Sequence, residues 1–196
     1  MRPIFITGNK NKAEYLSRHL GIDLPFETVA LKEIQSLDLS EVVTHKAKEA
    51  YFLLQKPVLV QDVALEFSYL GKLPGTFIRF FVDTVPFQKV CDMIPSNERD
   101  AIARVMYGYY DGNHLELFEG SHSGTISLEP RGAGGFGWDK IFIPEGYSQT
   151  RAEMSKEDDE KTYCATHPFA SIKDFLLKYS NTTTTHNDNA DSQIMK

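Results

Sequence analysis

Apolar and polar positions along this chain switch between a strand-like period of two and a helical period of 3.6, and the switches mark its elements. RPIFIT, residues 2–7, reads as a short buried strand, and GNKNKAEYLSRHLG passes from a polar loop into a helix that Gly21 closes. In SEVVTHKAKEAYFLL, Val43, Ala47, Ala50, Tyr51 and Leu54 share one helical face, with Ser40 as the expected N-cap. PVLVQD, rich in β-branched residues, predicts a buried strand ending at Asp62. After the turn at Leu73-Pro74-Gly75, FIRFFVDTV and FQKVCDMI have helical spacing, and RVMYGYY and HLELFEG flank Asp111-Gly112-Asn113 as a hairpin. WDKIFIPEG predicts another strand, closed by a Pro/Gly turn, and ASIKDFLLKY the last helix. Beyond it SNTTTTHNDNADSQIMK has no periodicity, so residues 1–179 read as one domain and 180–196 as a disordered tail. The fold class is α/β, with antiparallel strands in the second half.

Composition narrows the partners. A chain of 196 residues buries a sizeable core without metal or disulfide support, and 41% hydrophobic with 24% charged residues suits a soluble protein. A formal charge of -6 argues against a nucleic-acid polymer as partner, but not against a small anion held by local cations. Two cysteines outside any C-x-x-C, and no leader-like segment before MRPIFITG, predict a reduced, cytoplasmic protein. No apolar run reaches the roughly 18 residues of a membrane span.

The candidate chemistry lies in a few segments. ITGNKNKAE places Thr7, Gly8 and Asn9 between a strand and a helix, where free backbone amides attract an anion, and Lys10 and Lys12 add positive charge. It is not a Walker loop, which needs G-x-x-x-x-G-K-[ST]. Asp62 at a strand end and Glu33 in LKEIQ form a carboxylate pair suited to a hard cation such as Mg²⁺. Glu41 reads as a first-turn acid that suits the helix dipole. Lys46 and Arg79 matter only if they point inward. RGAGGFGWDK contains G-x-G-x-x-G, yet it leads into a strand-like run rather than a helix, so a Rossmann reading fails on context. The six histidines lack metal-ligand spacing such as H-E-x-x-H, which argues against zinc, and Cys164 reads as a packing residue.

TGNKNKAE at 7–14, LKEIQ at 31–35, VQDVALEF…LGKLPGTFIRFF at 60–81 and PRGAGGFGWDKIF…T-x-AEMS at 130–155 resemble, in order, the inosine triphosphate pyrophosphatases. The resemblance runs from residue 3 to about 175. It implies a long mixed central sheet with two α/β lobes flanking a nucleotide cleft, commonly in a homodimer. It also implies hydrolysis of non-standard purine nucleoside triphosphates (ITP, dITP, XTP) to the monophosphate and pyrophosphate with Mg²⁺. Residue by residue, Thr7, Gly8, Asn9, Lys10, Asn11 and Lys12 would hold the triphosphate, with Lys12 the principal cation. Glu33 and Asp62 would bind metal, Asp62 would activate water, and Lys46 and Arg79 would neutralise phosphate oxygens. Phe136, Gly137, Trp138 and Asp139 would line the base pocket, completed by Lys161 and His167.

Three positions depart from the family pattern. Its Ser-His-Arg is Thr166-His167-Pro168 here, the preceding segment is longer, and a small hydroxyl residue after the catalytic acid is Val63. Two alternatives stay open: the same chemistry on a pyrimidine or another modified nucleotide, or a non-catalytic nucleotide binder.

Overall fold

The structure is a computed structural model that describes residues 2–187. Its elements are β1 (Ile4–Ile6), α1 (Lys10–Leu20), β2 (Phe26–Glu27), α2 (Leu39–Leu54), β3 (Val58–Phe67), β4 (Pro74–Gly75), α3 (Ile78–Thr84), α4 (Phe87–Asp92), β5 (Asp100–Tyr110), β6 (Leu115–Ile126), β7 (Phe142–Pro144), α5 (Lys156–Thr166) and α6 (Phe169–Asn187). They build one seven-stranded sheet in the order β2-β1-β3-β5-β6-β7, with β4 paired to β3. β2, β1 and β3 run parallel, and the remaining pairs are antiparallel. This is the long mixed sheet that the family resemblance implies.

Alternation along β3 sorts the core. Leu59 packs with Leu16 and Leu20 of α1 and Ile172 and Leu176 of α6, whereas Val58, Val60 and Ala64 meet Val43, Ala47 and Ala50 of α2 on the other face. Farther along the sheet, Leu65 and Phe67 join Ile78, Val90, Ile126 and Phe142 in a separate core under α3 and α4. The first two clusters, on opposite faces of the sheet, form one lobe and the third forms the other, and the long β5–β6 ribbon runs through both. Its turn is tied by Asp111 Oδ1, which accepts from Asn113 N at 2.9 Å and His114 N at 2.8 Å.

Several boundaries differ from the sequence reading. Asp62 does not end its strand: β3 continues to Phe67, because its pairing with β5 runs on unbroken to Phe67↔Ala101. Asp38, not Ser40, caps α2, its Oδ1 accepting from Ser40 N at 2.8 Å. Trp138–Lys140 form a 3-10 turn (Gly137–Lys140), which leaves only Phe142–Pro144 as strand. Helix α6 passes Tyr179 and runs to Asn187, the last described residue, where composition predicts an unstructured tail. Adding turns to a helix already docked through Ile172 and Leu176 needs no new nucleus. Residues 188–196 lie outside the described residues.

Candidate active site

The site begins with a gap in the sheet. β1 pairs with β3 as far as Phe5↔Leu59, and β4 rejoins the same edge only at Leu65↔Gly75. Between them Gln61 and Asp62 stand on an edge with no strand partner, opposite Tyr107 and Met106 of β5. A cleft of about 400 Å³ opens beside this gap, lined by Thr7, Gly8 and Lys12 from the β1–α1 junction and by Glu33, Lys46, Gln61 and Arg79. Asp62 thus sits beside the carboxyl end of β1, where α/β sheets bind ligands.

The β1–α1 junction is shaped by its own polar residues. Asn9 caps α1, its Oδ1 accepting from Lys12 N at 3.1 Å, while its own N–H donates to Thr7 Oγ1 at 3.1 Å. The first-turn amides of Lys10 and Asn11 have no intrahelical acceptor, and Lys12 carries its ammonium into the cleft. Lys10 turns outward instead, 3.3 Å from Glu14 and largely exposed, and Asn11 is also exposed.

Two carboxylates converge on one ammonium. Lys46 Nζ lies 2.8 Å from Asp62 Oδ2 and 3.1 Å from Glu33 Oε1. Burial pulls this ammonium down, but the two carboxylates outweigh it and hold it above its ordinary value. Lys12 goes the other way: burial lowers it, Asp62 opposes, and Lys46 adds to the fall. Gln61 is nearly buried and its Oε1 has no hydrogen-bond partner, although such atoms are usually satisfied. From the facing lobe, Arg79 reaches the cleft rim and pairs at 3.4 Å with Asp83. Glu41 is a local structural acid, accepting from Ser36 Oγ at 2.6 Å.

The FGWD segment separates into different jobs. Phe136 projects into solvent at 89% exposure, whereas Trp138 packs on the core of the α3–α4 lobe. Gly137 has a φ of +59° with open space beside it. Asp139 accepts from Phe136 N at 2.7 Å and so holds the loop; burial pushes its carboxyl up against the pull of Arg151 and that N–H. Gly135, at φ +71°, is required here, because a Cβ would sit 2.6 Å from Asp139.

His167 follows α5. Its ring stacks on Tyr163 at 3.7 Å between centroids and meets Phe169 at 5.1 Å, with Nδ1 2.9 Å from Tyr163 O. Burial pulls the imidazole down to about 4, opposed by the Tyr163 carbonyl and reinforced by Arg151, Lys12 and His19. Gly120 of β6 admits this segment, since a Cβ there would lie 1.9 Å from Thr166 O. Lys161 is not brought in: it is exposed and paired with Glu157 at 2.9 Å and Asp158 at 3.6 Å. On a helix rich in acids, intrahelical partners win.

Sequence reading missed Arg151, the variable position of T-x-AEMS. It is 13% exposed, 2.8 Å from Asp159 Oδ1 and 3.8 Å from Asp139 Oδ1, and it lies over the Tyr163 ring at 5.7 Å. It therefore ties the FGWD loop to α5 beside His167.

Residues 3–174 match the sequence profile described as the Ham1 family. The chain belongs to that family. Among the similar Ham1-family proteins, an inosine triphosphate pyrophosphatase of Kluyveromyces lactis is 38% identical over 184 residues, covering 88% of this chain and 94% of that one. A dITP/XTP pyrophosphatase of Thermococcus kodakarensis is 34% identical, covering 82% and 89%. The Ham1 protein of Coxiella burnetii superposes with a TM-score of 0.77 at 21% identity, covering 91% of this chain and all of that one, which bears out the Ham1 fold.

Proposed function

We propose that this chain is a nucleoside triphosphate pyrophosphohydrolase that converts ITP, dITP and XTP to the monophosphate and pyrophosphate. The observation that carries this reading is the meeting of Lys46, Asp62 and Glu33 at the sheet gap, beside the Thr7–Lys12 turn in the same cleft. The names of the similar proteins support the substrate class.

The residues also fit a hard divalent cation. Two carboxylates from different segments already attract one positive charge, and the unpaired Gln61 amide oxygen lines the same cleft. Glu33 and Asp62 would hold Mg²⁺, which when bound neutralises triphosphate oxygens as a Lewis acid. Lys12 and the amides at the start of α1 take the phosphate chain, and Arg79 closes on it from the other lobe. Asp62 accepts a proton from the attacking water, whose oxygen bonds to the α-phosphorus while the α–β bridging bond breaks. Negative charge then collects on the departing pyrophosphate, where Lys12, Lys46 and Arg79 stabilise the transition state more than the ground state.

The base would enter between Phe136 and His167. Neutral His167 gives its Nδ1–H to the Tyr163 carbonyl and offers Nε2 as an acceptor, and Arg151 holds Asp139 in place. A second reading changes the base, because Pro168 stands where the family offers a guanidinium. Pyrophosphate release across a panel of purine and pyrimidine triphosphates separates the two: a maximum on inosine and xanthosine nucleotides supports the first, and a maximum on a pyrimidine supports the second. A protein that binds ITP but never releases pyrophosphate would be a binder only. We also place the protein in the cytoplasm with the nucleotide pool, and propose a homodimer that light scattering would show as twice the 22.2 kDa chain mass.

A further inference from the structure

Behind the base side of the cleft, α1 and α5 bring together three side chains that the reaction does not use. Glu160 and Cys164 stand one turn apart on α5, so they share a face, and His19 of α1 lies opposite. One ligand atom from each lies within 4.8 Å of the others. His19 Nδ1 is 3.7 Å from Cys164 Sγ, and its Nε2 is 3.0 Å from Glu160 Oε1. That Nε2 is buried, yet it is not aligned for a hydrogen bond and has no hydrogen-bond partner.

The imidazole is held in position. It stacks on Phe169 at 4.8 Å and 5° and lies 4.4 Å from the Tyr15 ring, while Tyr15 OH donates to the other oxygen of Glu160. Tyr15 OH thus fixes the carboxylate as the ring stacks fix the imidazole, and such outer contacts orient metal ligands. Cys164, in contrast, is exposed and in no disulfide.

We propose that His19, Glu160 and Cys164 form a site for a borderline-soft divalent cation of the zinc class, closed by water in the fourth position. Imidazole nitrogen, thiolate sulfur and carboxylate oxygen are a zinc donor set, and tetrahedral bonds of about 2.0–2.3 Å put ligand atoms roughly 3.3–3.7 Å apart. An imidazole gives one nitrogen to an ion, so the Sγ that now faces Nδ1 and the Oε1 that faces Nε2 must turn onto the same nitrogen, an adjustment at the exposed Cys164 and half-exposed Glu160. Binding displaces the thiol proton, so affinity rises with pH. The ion links the helix that carries Lys12 to the helix that leads into His167. It is separate from the Glu33–Asp62 pair, whose oxygen donors suit a harder ion.

Titration with Co²⁺ and then Zn²⁺, each as the metal alone, tests this. Wild-type protein should develop a thiolate-to-cobalt charge-transfer band saturating at one equivalent and lost on adding Zn²⁺. Zn²⁺ at about a hundred times its Kd should raise the melting temperature by roughly 5–10 °C. Cobalt at the carboxylate pair gives no such band, so the signal reports this site alone. Cys164→Ser, at an exposed position, should abolish the band, Cys91→Ser should keep it, and Glu160→Gln should weaken Zn²⁺ binding about tenfold or more. No band in the wild type, a band that survives Cys164→Ser, or calorimetric Zn²⁺ affinity unchanged in both Cys164→Ser and Glu160→Gln would overturn the proposal.

Discussion

Acidification should destabilise this protein through His167 before its carboxylates titrate. Burial takes the imidazole from 6.5 to about 4 in the folded chain. Between those values the unfolded chain accepts a proton that the folded chain refuses. Its stability contribution is therefore intact above pH 6.5 and lost as pH falls toward 4. The linkage gives a loss of about 2 kcal/mol at pH 5 and about 3 kcal/mol at pH 4, or roughly 4–8 °C in melting temperature at pH 5 for a chain of this size. The comparison is wild type against His167→Gln, by urea unfolding at pH 7.5, 6.5, 5.5 and 5. The variant loses the stack on Tyr163, a pH-independent offset of about 1 kcal/mol. The readout is therefore the slope: wild type should lose about 2 kcal/mol more than the variant from pH 7.5 to 5. Parallel curves would show that His167 is not held neutral by the fold, and the argument would fail.

Other outcomes follow from the cleft. Asp62→Asn should lower kcat by about a thousandfold with an unchanged far-ultraviolet spectrum, because it removes the proton acceptor and half of the carboxylate pair. Lys12→Ala should raise KM and lower kcat together, by about a hundredfold in kcat/KM. Pro168→Arg should raise the ITP-over-ATP preference in kcat/KM; no change in an enzyme that already rejects ATP would assign the discrimination to another group. Arg151→Gln should raise KM for ITP several-fold with little change in kcat, since Arg151 positions Asp139 rather than touching phosphate; an equal fall in kcat would refute that role.

The legible parts of the site were those whose chemistry and local structure share one segment. TGNKNKAE announces a strand, a turn and a helix start, and the structure places Thr7, Gly8 and Lys12 on the cleft wall. Asp62 and Lys46 were legible as types, but not the gap between β1 and β4 that exposes Asp62, because the register of β3 depends on distant partners. FGWD reads as one motif, although core packing claims Trp138 and loop closure claims Asp139. Lys161 is held in local ion pairs with Glu157 and Asp158 on α5, which a reading of residue types alone does not weigh. Cys164 read as a packing thiol and zinc as absent, since His19 is 145 residues away in sequence and comes close only when α1 meets α5.

The central claim is that water attacks the α-phosphorus. Hydrolysis of ITP in ¹⁸O-labelled water, followed by mass spectrometry of both products, tests it most directly. The account predicts one ¹⁸O atom in inosine monophosphate and none in pyrophosphate. Label in pyrophosphate, or formation of inosine diphosphate and orthophosphate, would contradict it.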